Sequence, residues 1–162
     1  MLGALMFVSK LALEFLPNIH LLGVLTMVYT LTFRWKALFP IYCYVLIQGV
    51  YAGFNVWWIP YCYLWTILWG VTMLLPKKLP EKRAAIVIYP LVCCLHGALF
   101  GTLYAPAQAL FFHLDWNGMI AWIIAGLPWD GVHAVGNLAV GFLILPLYQI
   151  LSRLYSKMRS RA

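Results

Sequence analysis

The sequence predicts an all-α membrane protein: one domain over residues 1–162 that forms a bundle of six transmembrane helices, with both termini cytoplasmic. Composition is the first reason, because 65% of the residues are hydrophobic and only 9% are charged, whereas soluble domains carry about 25% charged residues. The second reason is the recurrence of long apolar runs, which suit crossings of about 20 residues each. The third is that the basic residues lie between alternate runs, as they do in multi-pass proteins of a prokaryotic plasma membrane.

Polar residues, prolines and glycines interrupt the apolar runs and set the predicted helix ends. We expect the six crossings at residues 2–16, 20–33, 37–54, 57–76, 84–112 and 130–155. The first ends at the Pro17-Asn18 pair, and the second ends before the basic segment 34–36. The third stops at Asn55.

The last three crossings follow from similar signals. The fourth ends at Pro76 and the loop "KKLPEKR", and the fifth is expected to break at Pro106, since an internal proline removes a helical hydrogen bond. The sixth begins at Asp130. Residues 113–128 are short and polar at their ends, which predicts a short helix at the outer surface, between the fifth and sixth crossings.

The positive-inside rule fixes the orientation. With a cytoplasmic N-terminus, every basic residue except Lys10 falls on the inner side: Arg34, Lys36, Lys77, Lys78, Lys82, Arg83, Arg153, Lys157, Arg159 and Arg161. A full crossing by residues 105–127 would instead place the basic tail outside, so the six-crossing arrangement is favoured. The net charge of +7 is thus explained by topology, and no nucleic-acid partner is expected.

Common catalytic and metal-binding motifs are missing from the sequence. Cys43, Cys62, Cys93 and Cys94 lie scattered in apolar runs, without a C-x-x-C pair, so neither a zinc site nor a disulfide framework is predicted. The chain also lacks a Walker A loop, a G-x-S-x-G turn and an H-E-x-x-H motif. We therefore expect no metal, no cofactor and no ATP hydrolysis by this chain.

Small residues recur at every fourth position of the fifth crossing, at Gly97, Gly101, Ala105 and Ala109. Such a stripe lets the backbone of another helix approach closely. We expect it to mediate helix packing within the chain.

Aromatic residues share one face of the fourth crossing, at Trp58, Tyr61, Trp65 and Trp69. An aromatic belt at the membrane interface would explain the first turn of this helix, but Trp65 lies more than two turns deeper. A wall for a flat ligand and ordinary core packing both remain open for this face.

The stretch "GLPWDGVHAVGN" places Asp130, His133 and Asn137 within an arc of roughly 60° on a helix. Asp130 alone could be a helix N-cap, and a membrane histidine could serve only to bridge helices. Three polar residues on one face favour a common ligand. Other polar residues that could converge on the same outer half are His96, Tyr104, Gln108, His113 and Asp115.

Six hydrophobic helices, short loops and a last helix opened by "GLPWDGVHAVGNLAVGFLILPL" together resemble the S-components of energy-coupling factor (ECF) transporters. The resemblance implies a membrane subunit that captures a vitamin or similar micronutrient near the outer surface. The pocket would be built from the loop after the first helix and from the last three helices. In this sequence those places hold Asn18, His20, Trp58, Tyr61, Trp65, Tyr104, Gln108, Asp130, His133 and Asn137.

The resemblance also implies partners. An S-component docks on a transmembrane T-component that is driven by two cytoplasmic ATPases, and it usually offers an A-x-x-x-A pattern on its first helix. The nearest match here is Ala4, Val8 and Ala12, which we assign to docking.

The charge distribution limits the ligand. An outer pocket without Lys or Arg is poorly suited to a carboxylate or phosphate, whereas acids and aromatic rings favour a neutral or cationic nitrogen heterocycle. Thiamin or its pyrimidine precursor is one example. Two other classes remain open. One is a small membrane enzyme with a site at His113, Asp115, Asp130 and His133, and the other is a purely structural subunit.

Overall fold

The computed structural model describes residues 1–16 and 18–160, and these residues form helices and connecting turns without any strand. The all-α prediction is therefore confirmed. Pro17 and Arg161 lie outside the described residues. The helices are α1 (Leu2–Ala12), α2 (Leu22–Phe33), α3 (Leu38–Ala52), α4 (Tyr61–Leu74), α5 (Ala85–Ala98), α6 (Phe100–Phe112), α7 (Trp116–Gly141) and α8 (Ile144–Arg159), with short 3₁₀ turns at Arg34–Ala37, Val56–Trp58 and Leu79–Glu81.

Among the residues that the structure describes, two helical stretches are long and apolar enough to cross a membrane. One is Ala85–Phe112, in which α5 and α6 together span 28 residues with a mean hydropathy of 1.9, and the other is α7, with 26 residues and a mean hydropathy of 1.2. Many large apolar side chains on the outside of the fold are exposed, among them Leu91, Leu110 and Val135. Length, composition and exposed apolar surface together support an association with a membrane.

Helix α2 forms the centre of the bundle. Its residues from Leu22 to Thr30 are all buried, and the helix packs against α1, α4, α5, α7 and α8. Helix α7 packs most extensively on α5 and also contacts α6 and α2. The paired helices α5–α6 and α7 therefore lie side by side, with α2 behind them.

The predicted separate short helix over residues 113–128 is wrong, because residues 116–128 form the first half of the continuous helix α7. Helix α7 begins at Trp116 because the Asp115 side chain accepts a hydrogen bond from the Gly118 N–H at 2.7 Å. This is an ordinary N-cap. Pro128 lacks an N–H donor, yet the helix continues through it.

The last two predicted crossings are also interrupted at other places than expected. The fifth is broken at Leu99 instead of Pro106, which lies inside α6. The predicted sixth crossing, residues 130–155, does not form one helix that begins at Asp130. Its first part belongs to α7, and a turn at Phe142 and Leu143 separates α7 from α8. The first predicted crossing ends four residues early, at Ala12.

Candidate functional site

A cavity of about 340 Å³ lies between α6 and the middle of α7. Five of the predicted site residues line it: Asn18, Tyr104, Gln108, Asp130 and His133. The remaining lining residues were not in the predicted set, and they are Phe100, Gly101, Trp122, Gly126 and Trp129. The volume lies near the lower end of the range of small-molecule sites, about 300–1,000 Å³. The cavity can therefore accommodate a compact organic molecule.

Asp130 holds the beginning of α6. It is 7% exposed, and its two carboxylate oxygens accept from the Gly101 N–H at 3.0 and 3.1 Å. Inside an unbroken helix this N–H would bond to the carbonyl of Gly97. A side chain from α7 thus replaces the backbone acceptor at the point where the helix is interrupted at Leu99.

Asp130 is consequently a helix cap, although not of its own helix. The sequence left open an N-cap role at the start of the sixth crossing, but Asp130 lies in the interior of α7 and caps the neighbouring α6. A carboxylate has about four acceptor sites, so one N–H does not exhaust it. Since Asp130 also lines the cavity, its remaining acceptor sites can serve a ligand.

The glycine stripe brings α5 and α6 close to α7, as predicted. A Cβ atom at Gly97 would lie 2.9 Å from the His133 carbonyl oxygen and 2.8 Å from Asn137 Nδ2. A Cβ atom at Gly101 would lie 2.5 Å from Asp130 Oδ2. Both contacts are tighter than a side chain allows, so glycine is required for this approach of the helices.

Trp65 lies at the centre of an aromatic group that adjoins the cavity. Its side chain is 1% exposed, and its ring lies 5.7 Å from His96 and 6.0 Å from His20, measured between ring centroids. His133 lies 4.9 Å from both His20 and Phe100. We call this group the Trp65 cluster, and its members are His20, Tyr44, Tyr61, Trp65, His96, Phe100 and His133.

Several buried polar atoms of the Trp65 cluster have no hydrogen-bond partner among the described residues. His96 Nε2 lies 3.1 Å from the Leu64 carbonyl oxygen, so it donates there, and Nδ1 is left as a free acceptor. Trp65 Nε1 is a free donor. The other unpartnered atoms of the cluster are His20 Nδ1, Tyr44 Oη and His133 Nε2.

Gln48 adds one more unpartnered acceptor near this cluster. It is 2% exposed and follows Tyr44 by one turn of α3, and its Oε1 has no partner in the described part of the chain. Buried polar groups are hydrogen-bonded in the large majority of cases. A concentration of free donors and acceptors around one indole ring therefore indicates a place where a polar ligand or water binds.

Five predicted site residues do not line the cavity, and two of these, Trp58 and Asn137, also lie outside the Trp65 cluster. Trp58 donates from Nε1 to the Val45 carbonyl at 2.7 Å and packs on Phe54, so it fixes the start of α4 against α3. Asn137 donates to the Cys93 carbonyl at 3.1 Å and thereby links α7 to α5. Tyr61, in contrast, contacts Trp65 and Phe100 within the Trp65 cluster.

Trp122 was missed because the predicted helix was started too late. Residues 122, 126, 129, 130 and 133 follow one another at helical spacing, so a helix that begins at 116 places them on one face. The Trp122 ring stacks on Tyr104, with a centroid distance of 5.8 Å and an angle of 17° between the ring planes. Tyr104 in turn donates its hydroxyl to the Trp57 carbonyl at 3.0 Å.

The predicted docking residues lie on α1. Ala4, Val8 and Ala12 are all exposed, while Gly3 and Met6 on the opposite side are buried. Helix α1 packs against α3 and α2 through that buried side. The three residues therefore form an accessible small-residue face.

Among the described residues, no group of three or more His, Cys, Asp or Glu side chains is placed to hold a metal ion. Asp115, one residue of the alternative enzyme site, caps α7. Comparisons with family models, with curated proteins and with solved structures find no match.

Proposed function

We propose that this chain is the substrate-capture subunit of an ECF-type importer, and that it binds a vitamin-like small molecule in the outer half of the membrane. The observation that carries the proposal is the cavity between α6 and α7, where Asn18, Gln108, Asp130 and His133 meet stacked aromatic rings. An apolar cavity with a few convergent polar groups is the usual form of a small-molecule site.

In the proposed topology, six helical crossings leave both termini in the cytoplasm of a prokaryotic cell. The two long stretches, 85–112 and 116–141, make the clearest crossings. The shorter helices α1 to α4 would cross with the help of their flanking turns. The positive-inside distribution of Lys and Arg supports this orientation. In this orientation the cavity would lie in the outer half of the membrane, because α6 ends at the turn opposite the basic loop 77–83.

The proposed ligand is a neutral or cationic nitrogen heterocycle, of which thiamin or its pyrimidine precursor is an example. No Lys or Arg is among the residues that line the cavity, and Asp130 is the one acidic residue among them. Trp122 and Tyr104 offer a flat aromatic wall for the ligand. In this proposal the pair replaces Trp58, which the sequence suggested as part of such a wall. His133 would join the cavity to the free donors and acceptors of the Trp65 cluster, which suit the polar edge of a heterocycle.

Transport requires partners in this proposal. The chain would dock on a transmembrane T-component through the exposed face at Ala4, Val8 and Ala12, and two cytoplasmic ATPases would supply the energy. The chain itself would be no enzyme and would use no cofactor. Uptake by vesicles that contain this chain alone, driven by a proton gradient, would contradict the proposal.

The decisive experiment is purification of the full chain, followed by mass spectrometry of the small molecule that co-purifies with it. Trp122→Ala removes the flat wall of the cavity and should weaken binding of the molecule about five- to 150-fold, since loss of aromatic stacking costs about 1–3 kcal/mol. Trp116→Ala is the matched control, because Trp116 is exposed on the same helix and does not line the cavity. Equal retention by both variants would place the ligand elsewhere.

A further inference from the structure

A second cavity, of about 250 Å³, joins three segments at the other end of the bundle. It lies where α2 ends, beside the loop between α4 and α5 and against α8. Its lining residues are Leu31, Arg34, Pro76, Lys77, Pro80 and Tyr148. Two cations and a phenol therefore surround a space that also has apolar walls.

Arg34 is held in place by the structure around it. Its φ of 57° lies in the left-handed region, which a non-glycine residue rarely adopts. One guanidinium nitrogen donates to the Met73 carbonyl at 3.1 Å, and the Arg34 carbonyl accepts from Trp69 Nε1 at 3.2 Å. A strained residue that is fixed in this way is frequently part of a binding site. The other guanidinium donors stay available for a ligand.

The positive charge at this end is largely uncompensated. The sequence has four acidic residues, of which Asp115 caps the far end of α7 and Asp130 holds the Gly101 N–H in the interior of the bundle. Only Glu81 lies in the same loop, where it is exposed next to Lys82 and Arg83. An anion that enters the cavity would therefore meet little competition from the protein's own carboxylates.

We propose that this cavity binds a phosphate group. Arg34 and Lys77 would donate to the phosphate oxygens, and the Tyr148 hydroxyl would donate a third hydrogen bond. The apolar walls suit the glycerol and upper acyl carbons of an anionic phospholipid, and basic pockets between helices on the cytoplasmic side are known to bind such head groups. A free phosphate-bearing solute offers the same chemistry. The proposal does not depend on the function of the outer cavity.

The test uses the purified full chain and measures lipid retention by native mass spectrometry. Phosphatidylglycerol should be retained in preference to phosphatidylcholine, and Lys77→Gln should weaken its binding about tenfold, which corresponds to about 1.4 kcal/mol. Lys78→Gln is the matched control, because both lysines are exposed neighbours but only Lys77 lines the cavity. Arg34→Gln should have a larger effect, although its fold must be checked separately by thermal unfolding.

A second arm distinguishes the two phosphate sources. If inorganic phosphate or glycerol 1-phosphate at millimolar concentration displaces the lipid from the wild-type chain, the site accepts a free phosphate group. If neither displaces it, the site requires the lipid. Equal losses in Lys77→Gln and Lys78→Gln would overturn the proposal in favour of a diffuse surface charge, as would equal retention of phosphatidylcholine.

Discussion

Substitution of Asp130 should separate its role as a helix cap from its proposed role in ligand binding. Asp130→Ala removes both acceptors of the Gly101 N–H and leaves that donor in a buried environment. Loss of a cap costs about 1 kcal/mol, and an unsatisfied buried donor costs about 1–3 kcal/mol. Since the two terms overlap, we expect the free energy of unfolding to fall by about 2 kcal/mol.

Asp130→Asn keeps one oxygen that can accept from Gly101 but removes the charge. The free energy of unfolding should therefore change by less than about 1 kcal/mol. A ligand that donates to the carboxylate would lose a charge-assisted hydrogen bond of about 1.5–3 kcal/mol, which lowers affinity roughly ten- to a hundredfold. Thermal unfolding in detergent measures the first effect, and titration with the co-purified molecule measures the second.

Asp115 provides the matched control for both measurements. It also caps a helix N-terminus, at Gly118, but it is exposed and does not line the cavity. Asp115→Asn should leave ligand affinity unchanged. If Asp130→Asn also binds with wild-type affinity, then Asp130 is a cap and nothing more. If Asp130→Ala is as stable as the wild type, the cap itself contributes no stability and the explanation of the break at Leu99 is wrong.

Two further predictions concern packing and orientation. Gly101→Ala should lower the free energy of unfolding by about 1–3 kcal/mol, because its Cβ would lie 2.5 Å from Asp130 Oδ2. Gly131→Ala is the control and should not destabilise the protein, because a Cβ at position 131 would have nothing within 4 Å. Similar losses of stability in the two variants would refute the close approach of α6 to α7. In a cysteine-free background, a cysteine that replaces Asn55 should react with an impermeant thiol reagent in intact cells, and a cysteine that replaces Lys78 should not. Labelling at position 78 alone would show that the chain has the opposite orientation in the membrane.

Local sequence signals predicted the parts of the fold that depend on neighbouring residues. The end of α2 before Arg34 was readable in this way, as was the use of Gly97 in close packing. The N-cap role that the sequence offered for Asp130 at the start of its own helix was wrong, because Asp130 lies inside α7. The residues Tyr104, Gln108, Asp130 and His133 were also expected near one another, and all four line one cavity. Helical periodicity and the polarity of these side chains were sufficient for that expectation.

The interruption at Leu99 could not be predicted in the same way. The Gly101 N–H next to it bonds to Asp130, which lies 29 residues after Gly101 in the sequence, so no local pattern around Leu99 reveals the interruption. Pro106 gave the stronger local signal, yet the helix continues through it. The position of Trp122 in the cavity could not be predicted either. Trp122 shares a helix face with Asp130 and His133 only because α7 continues past Pro128.

The backbone contact between Gly97 and the His133 carbonyl also bears on how ligand preference could change over evolution. One side of this contact has no side chain at all, so any replacement at position 97 must displace the main chain of α7. Tyr104, Gln108 and Trp122 point into the cavity from positions that do not take part in that contact. We expect relatives with other substrates to differ at these three positions while glycine persists at 97. If the proposed function is correct, selectivity would then diversify on an unchanged scaffold, because the residues that set the helix spacing differ from those proposed to contact the ligand.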